Sequence, residues 1–168
     1  LADADIAWHR ITLPKAPAAK LRAALAGTLE EALLEDADAL HFALAPGAAV
    51  GQPAWVAVVH KGWLSALLTM LDRAGVTVDR VVPPAWPGDA PLAHFFDAAD
   101  PGETPESAVT MADVNGIVSL PTAGTLARAL LPQMTAQPTR WTATPAVAAP
   151  AERWLGAPVT VMTDAERS

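Results

Sequence analysis

Between Glu30 and His41 the chain reads EEALLEDADALH, placing five carboxylates, Glu30, Glu31, Glu35, Asp36 and Asp38, just before a histidine. Side chains of these types can hold a divalent cation, move a proton, or present charge to another protein. A cation needs ligands converging from several elements, and Asp36, Asp38 and His41 come from one short turn, so a solvated turn is expected there and no metal site. Acid–base work needs carboxyl groups facing one reacting atom, whereas Glu30, Glu31 and Glu35 fan around a helix. Charge on a solvated surface is the better reading, and Glu30, Glu31, Glu35 and Asp36 become candidates for contact with a partner.

Other chemistry is sparse. His9, His41, His60 and His94 form no HxH or HxxxH pair, and Ser65, Ser107, Ser119 and Ser168 lack the G-x-S-x-G context of a strained nucleophile turn. Neither G-x-x-x-x-G-K-[ST] nor G-x-G-x-x-G is present to cradle phosphates. No catalytic residue, cofactor site or metal site is assigned. Of the six tryptophans, Trp86 lies in a proline-flanked loop, where an aromatic side chain either anchors an interface or pins the loop itself; the others fall on core patterns.

The elements that must position these residues follow from periodicity. Ile6 to Leu13 alternates as a strand ending at Pro14. Leu21, Leu25, Leu29 and Leu33 repeat on one face of a helix from Pro17 to Leu34, with Asp36-Ala37-Asp38 as its exit. Leu40 to Ala45 and Ala54 to His60 read as an antiparallel pair. A helix follows from Lys61 to Ala74, its apolar face made of Trp63, Leu64, Leu67, Leu68 and Leu71, and Gly75 stands at its C-terminal cap. Val76 to Val82 alternates like a strand. The turn-rich PPAWPGDAP then marks a boundary between a first α/β lobe, 1–83, and a second α+β lobe, 84–168. In the second lobe, short strands are expected at 92–96, 107–111, 116–120, 140–143 and 159–162, with helices at 122–131 and 150–155. Asn115-Gly116 signals a hairpin turn.

At 168 residues and 52% hydrophobic the chain can bury a sizeable core. No apolar run approaches the roughly 18 residues of a membrane-spanning helix, and the N-terminus lacks the basic flank of a signal peptide. The absence of cysteine excludes disulfides and thiolate chemistry and fits a reducing compartment. A net charge of -7, with scattered Lys and Arg, makes nucleic acid an unsuitable partner.

Taken in order, Leu13-Pro14, Leu34-Glu35-Asp36, Ala39-Leu40-His41, Trp63-Leu64 and Val82-Pro83 give a series that resembles the cytoplasmic domain of the type II secretion system L protein family. The resemblance covers residues 6–86. It implies a mixed α/β domain of actin-like, ribonuclease-H-like fold, here a fragment lacking its first strands. It further implies a non-catalytic scaffold at the cytoplasmic face of the bacterial inner membrane, attached through a segment absent from this chain. The partners it implies are the N-terminal region of the secretion ATPase, the E protein, and other platform proteins such as the M protein. Missing sheet partners would leave a strand edge of the first lobe available to a second copy, hence a homodimer. The alternative is an actin-like ATPase, which would need nucleotide contacts at Asp113 and its neighbours; a plain hairpin accounts for that turn better.

Overall fold

Prolines at 14 and 17 separate the first strand from the first helix, as their missing N–H groups and fixed φ favour. The computed structural model describes residues 5–83, 85–88, 90–99, 104, 106–163 and 166. The chain forms two compact units, Leu1–Val82 and Pro83–Ser168.

The first unit contains β1 (Ala7–Thr12), α1 (Ala18–Leu29), β2 (Leu40–Leu44), β3 (Pro53–His60) and α2 (Lys61–Arg73). Its sheet has the order β1-β3-β2, with both pairings antiparallel. Strand alternation divides the core. Leu40, Ala54, Val56 and Val58 join Leu25 and Leu29 of α1, with Leu21 packed at the margin. Ala57 and Val59 join Ile6, with Trp8 and Leu64 of α2 against them. Each fully buried leucine contributes about 1.5–3 kcal/mol.

α2 is held at both ends. His60 Nδ1 accepts from the Trp63 N–H at 3.2 Å. At the other end the Gly75 N–H bonds Asp72 O and the Val76 N–H bonds Leu71 O, both at 2.9 Å. Gly75 has φ +74°, a left-handed conformation that a Cβ would strain.

Three expectations change. α1 ends at Leu29, tightens into a 3₁₀ turn over Glu30–Ala32, and turns extended at Leu33, leaving Leu34 fully exposed at 102%. No residue of α2 is buried and Trp63 is 39% exposed. Leu64 takes the contact with the sheet, and Trp63 lies about 100° round the helix from it, off a sheet only a few strands wide. Residues 76–82 form no strand: they pair with neither edge of the β1-β3-β2 sheet, and alternation without a ladder partner makes no sheet.

The second unit contains β4 (Leu92–Asp97), β5 (Ser107–Asp113), β6 (Gly116–Pro121), α3 (Thr125–Thr135), β7 (Arg140–Ala143), α4 (Ala148–Leu155) and β8 (Thr160–Val161). The sheet order is β6-β5-β4-β7-β8. β4, β5 and β6 form an antiparallel meander, and β7 and β8 add in parallel beside β4 through helical crossovers. This three-two-one-four-five order is the ribonuclease-H-like arrangement, and the mixed α/β class expected is the one observed.

Phe95, Val109 and Ala143 of the sheet form one core with Ala127 and Met134 of α3 and Ala151 of α4. Trp154 meets the Phe95 ring edge-on, with centroids 5.6 Å apart. On the alternate residues, the register lines up Ser119, Thr110, His94, Thr142 and Thr160, one from each of the five strands. Ser119 and Thr110 hydroxyls are 2.7 Å apart, and His94 Nδ1 is 2.8 Å from Thr142 Oγ1. His94, Thr110 and Thr142 are buried.

The β5–β6 hairpin turns through Val114 and Asn115, so Asn-Gly is not its central pair. Asn115 keeps a negative φ, Gly116 opens β6 at φ +148°, and Asp113 Oδ1 accepts from the Asn115 N–H at 2.7 Å.

Candidate functional site

The acidic segment is shaped by where α1 stops. Burial of Leu29 fixes the last helical turn, and the Leu33 N–H returns to Leu29 O at 3.1 Å. Asp36 then caps a second 3₁₀ turn, Ala37–Ala39, its Oδ1 accepting from the Asp38 N–H at 2.8 Å. Arg22 reaches across from α1: its Nη2 donates to Ala37 O at 2.9 Å and Leu40 O at 3.2 Å. Its Nη1 lies 3.5 Å from Asp38 Oδ1, and the guanidinium carbon is 5.8 Å from the centroid of the Phe42 ring. Periodicity did not single out Arg22, because its partners lie 15 and 18 residues away.

Glu35 points to the junction of β3 and α2. Its Oε2 is 3.6 Å from His60 Nε2. Because Nδ1 accepts from the Trp63 N–H, Nε2 is the ring nitrogen that faces Glu35.

Glu30, Glu31, Glu35 and Asp36 are all exposed. Glu30, Glu35 and Asp36 share an open cleft of about 410 Å³ with Leu33, Gly27 and Ala26, while Glu31 does not line it. The result is a negative rim beside an apolar strip. It has no enclosed volume in which a carboxyl could be desolvated, which suits recognition better than proton transfer. Asp36, Asp38 and His41 do not converge: Asp36 serves the backbone, Asp38 faces Arg22, and His41 is exposed on β2. Among the described residues no three His, Asp or Glu side chains are placed to hold a metal ion.

Trp86 belongs to the second unit, where it is 36% exposed between the buried Ala85 and Pro87. Asp113, the residue a nucleotide site would need, gives both carboxylate oxygens to its own turn, with Oδ2 3.2 Å from Asn115 Nδ2. A second cleft, of about 220 Å³, lies between this hairpin and α3, lined by Met111, Ile117, Leu130 and Met134 with Asp113 and Gln133 among its polar residues.

Residues 1–87 match the family described as type II secretion system (T2SS), protein L. The type II secretion system protein L of Dickeya chrysanthemi is 39% identical over 79 residues, which are 47% of this chain and 19% of that protein. The chain therefore spans about a fifth of the length of that curated relative. The solved cytoplasmic domain of EpsL, an inner membrane component of the type II secretion system of Vibrio cholerae, shares the fold with a TM-score of 0.56 at 20% identity, over 85% of this chain and 58% of the solved one.

Proposed function

Because the chain belongs to the type II secretion system protein L family, we propose that it is a non-catalytic part of the inner-membrane platform. In this reading it docks the N-terminal region of the secretion ATPase, the E protein, on the cytoplasmic side and works beside platform proteins such as the M protein. The observation that supports this reading is that the family match includes the acidic segment, whose four candidate carboxylates are exposed and three of which, Glu30, Glu35 and Asp36, line an open cleft. A rim of this kind attracts a basic partner over a distance set by salt, and so acts mainly on the association rate.

Binding kinetics of the purified chain on the immobilised N-terminal region of the cognate secretion ATPase test this. Reversing Glu30, Glu31 and Glu35 to lysine is expected to slow association and flatten its salt dependence; Asp36 is kept because it caps the 3₁₀ turn. Trp86→Ala is expected to speed dissociation, as loss of an apolar anchor does. Wild-type rates in both folded variants would move the docking surface elsewhere, and no binding by the wild-type chain would remove the ATPase from the reading.

A further inference from the structure

We infer that His60 is a proton-operated latch on the acidic cleft: on protonation its ring gives up the cap of α2 and pairs with Glu35. This rests on the docking role proposed for that cleft and supplies its regulation.

The two ring nitrogens serve different elements. Nδ1 accepts from the Trp63 N–H at 3.2 Å and so caps α2, while Nε2 lies 3.6 Å from Glu35 Oε2. Capping requires a lone pair on Nδ1, and an imidazolium, with a hydrogen on both nitrogens, has none to offer. Its charge would also sit at the N-terminal, positive end of α2. The contact with Glu35 has the opposite preference. At 3.6 Å a neutral ring makes no hydrogen bond to the carboxylate, whereas an imidazolium is attracted across that distance and can close it. One proton therefore exchanges the cap for the carboxylate.

The surroundings permit the exchange. Both side chains are half exposed, 50% for His60 and 56% for Glu35, so the ring takes its proton directly from solvent. Gly62 lies in the first turn of α2, and a Cβ there would stand 3.1 Å from His60 Cε1 and 3.5 Å from Nδ1. Glycine is disfavoured against alanine within a helix, and here it leaves the room in which the ring folds over the turn. On β2 the residue opposite His60 is Leu40, which brings no charge, and His41 beside it points to the other face of the sheet. Arg22 of α1 pairs with Asp38, Asp36 caps its own turn, and Lys61 is exposed at the start of α2. Among the described residues, Glu35 is the carboxylate within ion-pair reach of the ring.

Glu35 also lines the cleft, with Glu30 and Asp36. With His60 neutral, all three carboxylates present their charge to a basic partner. With His60 protonated, the imidazolium offsets one of them, and α2 frays at Trp63, which is already 39% exposed. Histidine is the residue whose ordinary titration falls between about pH 5 and 8, so mild acidification is the signal. Docking is fast above the transition and slower below it.

Nuclear magnetic resonance of the chain alone, from about pH 8 to about pH 5, follows the His60 ring nitrogens, the Glu35 carboxyl carbon and the protection of the Trp63 amide corrected for intrinsic exchange. As the ring gains its second proton, Trp63 protection is expected to fall about fivefold, the worth of a helix cap, and the Glu35 carbon to shift at the same pH. His60→Asn keeps a capping acceptor without a titrating ring and is expected to hold Trp63 protection level. Association with the immobilised N-terminal region of the secretion ATPase is expected to slow through the same transition in the wild-type chain, and to lose that step in His60→Asn and in Glu35→Gln. Trp63 protection that stays constant while the ring protonates overturns the latch, as does an unchanged pH response in folded His60→Asn. A step in Trp63 protection with no step in association overturns the regulatory role. Absence of binding at every pH removes the docking reading and the regulation with it, while the resonance measurements still decide the exchange at His60.

Discussion

Leu25→Ala is the sharpest test of how the first unit holds together. Leu25 is 3% exposed and packs with Leu29, Leu40, Val56 and Val58. Deleting the three carbons beyond Cβ forfeits about 2.4 kcal/mol at roughly 0.8 per carbon. The void adds about 24 cal/mol per Å³, and because α1 is a surface helix released at Leu29 into a 3₁₀ turn, it can settle inward and leave a residual cavity of roughly 30 Å³. The sum is about 3 kcal/mol. For a unit of 82 residues this lowers the thermal midpoint by about 12–24 °C. Amide exchange in β2 and β3 reports the first unit separately from the second. Two companions make the test specific. Leu21→Ala, at the margin of the cluster, should cost about 1 kcal/mol, and Leu34→Ala, at a fully exposed position, less than about 0.5. If Leu34→Ala cost as much as Leu25→Ala, the helix would continue past Leu29 and the assigned packing face would be wrong.

Arg22→Met keeps the stem but removes the bonds to Ala37 and Leu40, and should cost about 1–3 kcal/mol in urea unfolding while raising exchange through residues 36–40. His9 is held below its ordinary 6.5 by desolvation, so the unfolded chain takes up this proton first; stability should fall as pH drops below about 6.5 and be level above it, and His9→Gln should flatten that slope in denaturation series run on either side. Zinc, manganese or calcium should not remain bound in stoichiometric amount after dialysis, and His41→Ala should leave metal content unchanged. A fluorescent ATP analogue with magnesium should give no saturable signal, since the carboxylate of Asp113 is committed to its own turn; saturable binding lost in Asp113→Ala would revive the actin-like ATPase.

Most strands were readable because alternation and turn residues act over a few positions. Arg140–Ala143 and the Asp113–Gly116 hairpin fall where local signals place them. Signals failed where a distant neighbour decides. The leucine spacing runs on to Leu33, but the helix stops once Leu29 is buried and the chain must turn toward β2. Residues 76–82 alternate as well as a strand does, yet alternation carries no information about whether an edge is free to receive it. At the acidic segment, charge and exposure belong to the local sequence, whereas its conformation depends on Arg22, which a reading of Glu30 to His41 never meets.

The transverse line of hydroxyls and imidazole from Ser119 to Thr160 works as a key for the sheet. Sliding any strand by one position would set Thr110, His94 or Thr142 against an apolar neighbour and turn that strand's whole side-chain set to the opposite face. Misaligned intermediates are thereby made expensive while the correct alignment is still incomplete. The same key couples its members: replacing Thr142 alone removes the hydroxyl that His94 Nδ1 meets at 2.8 Å, a paired requirement that the apolar core around Phe95 does not impose.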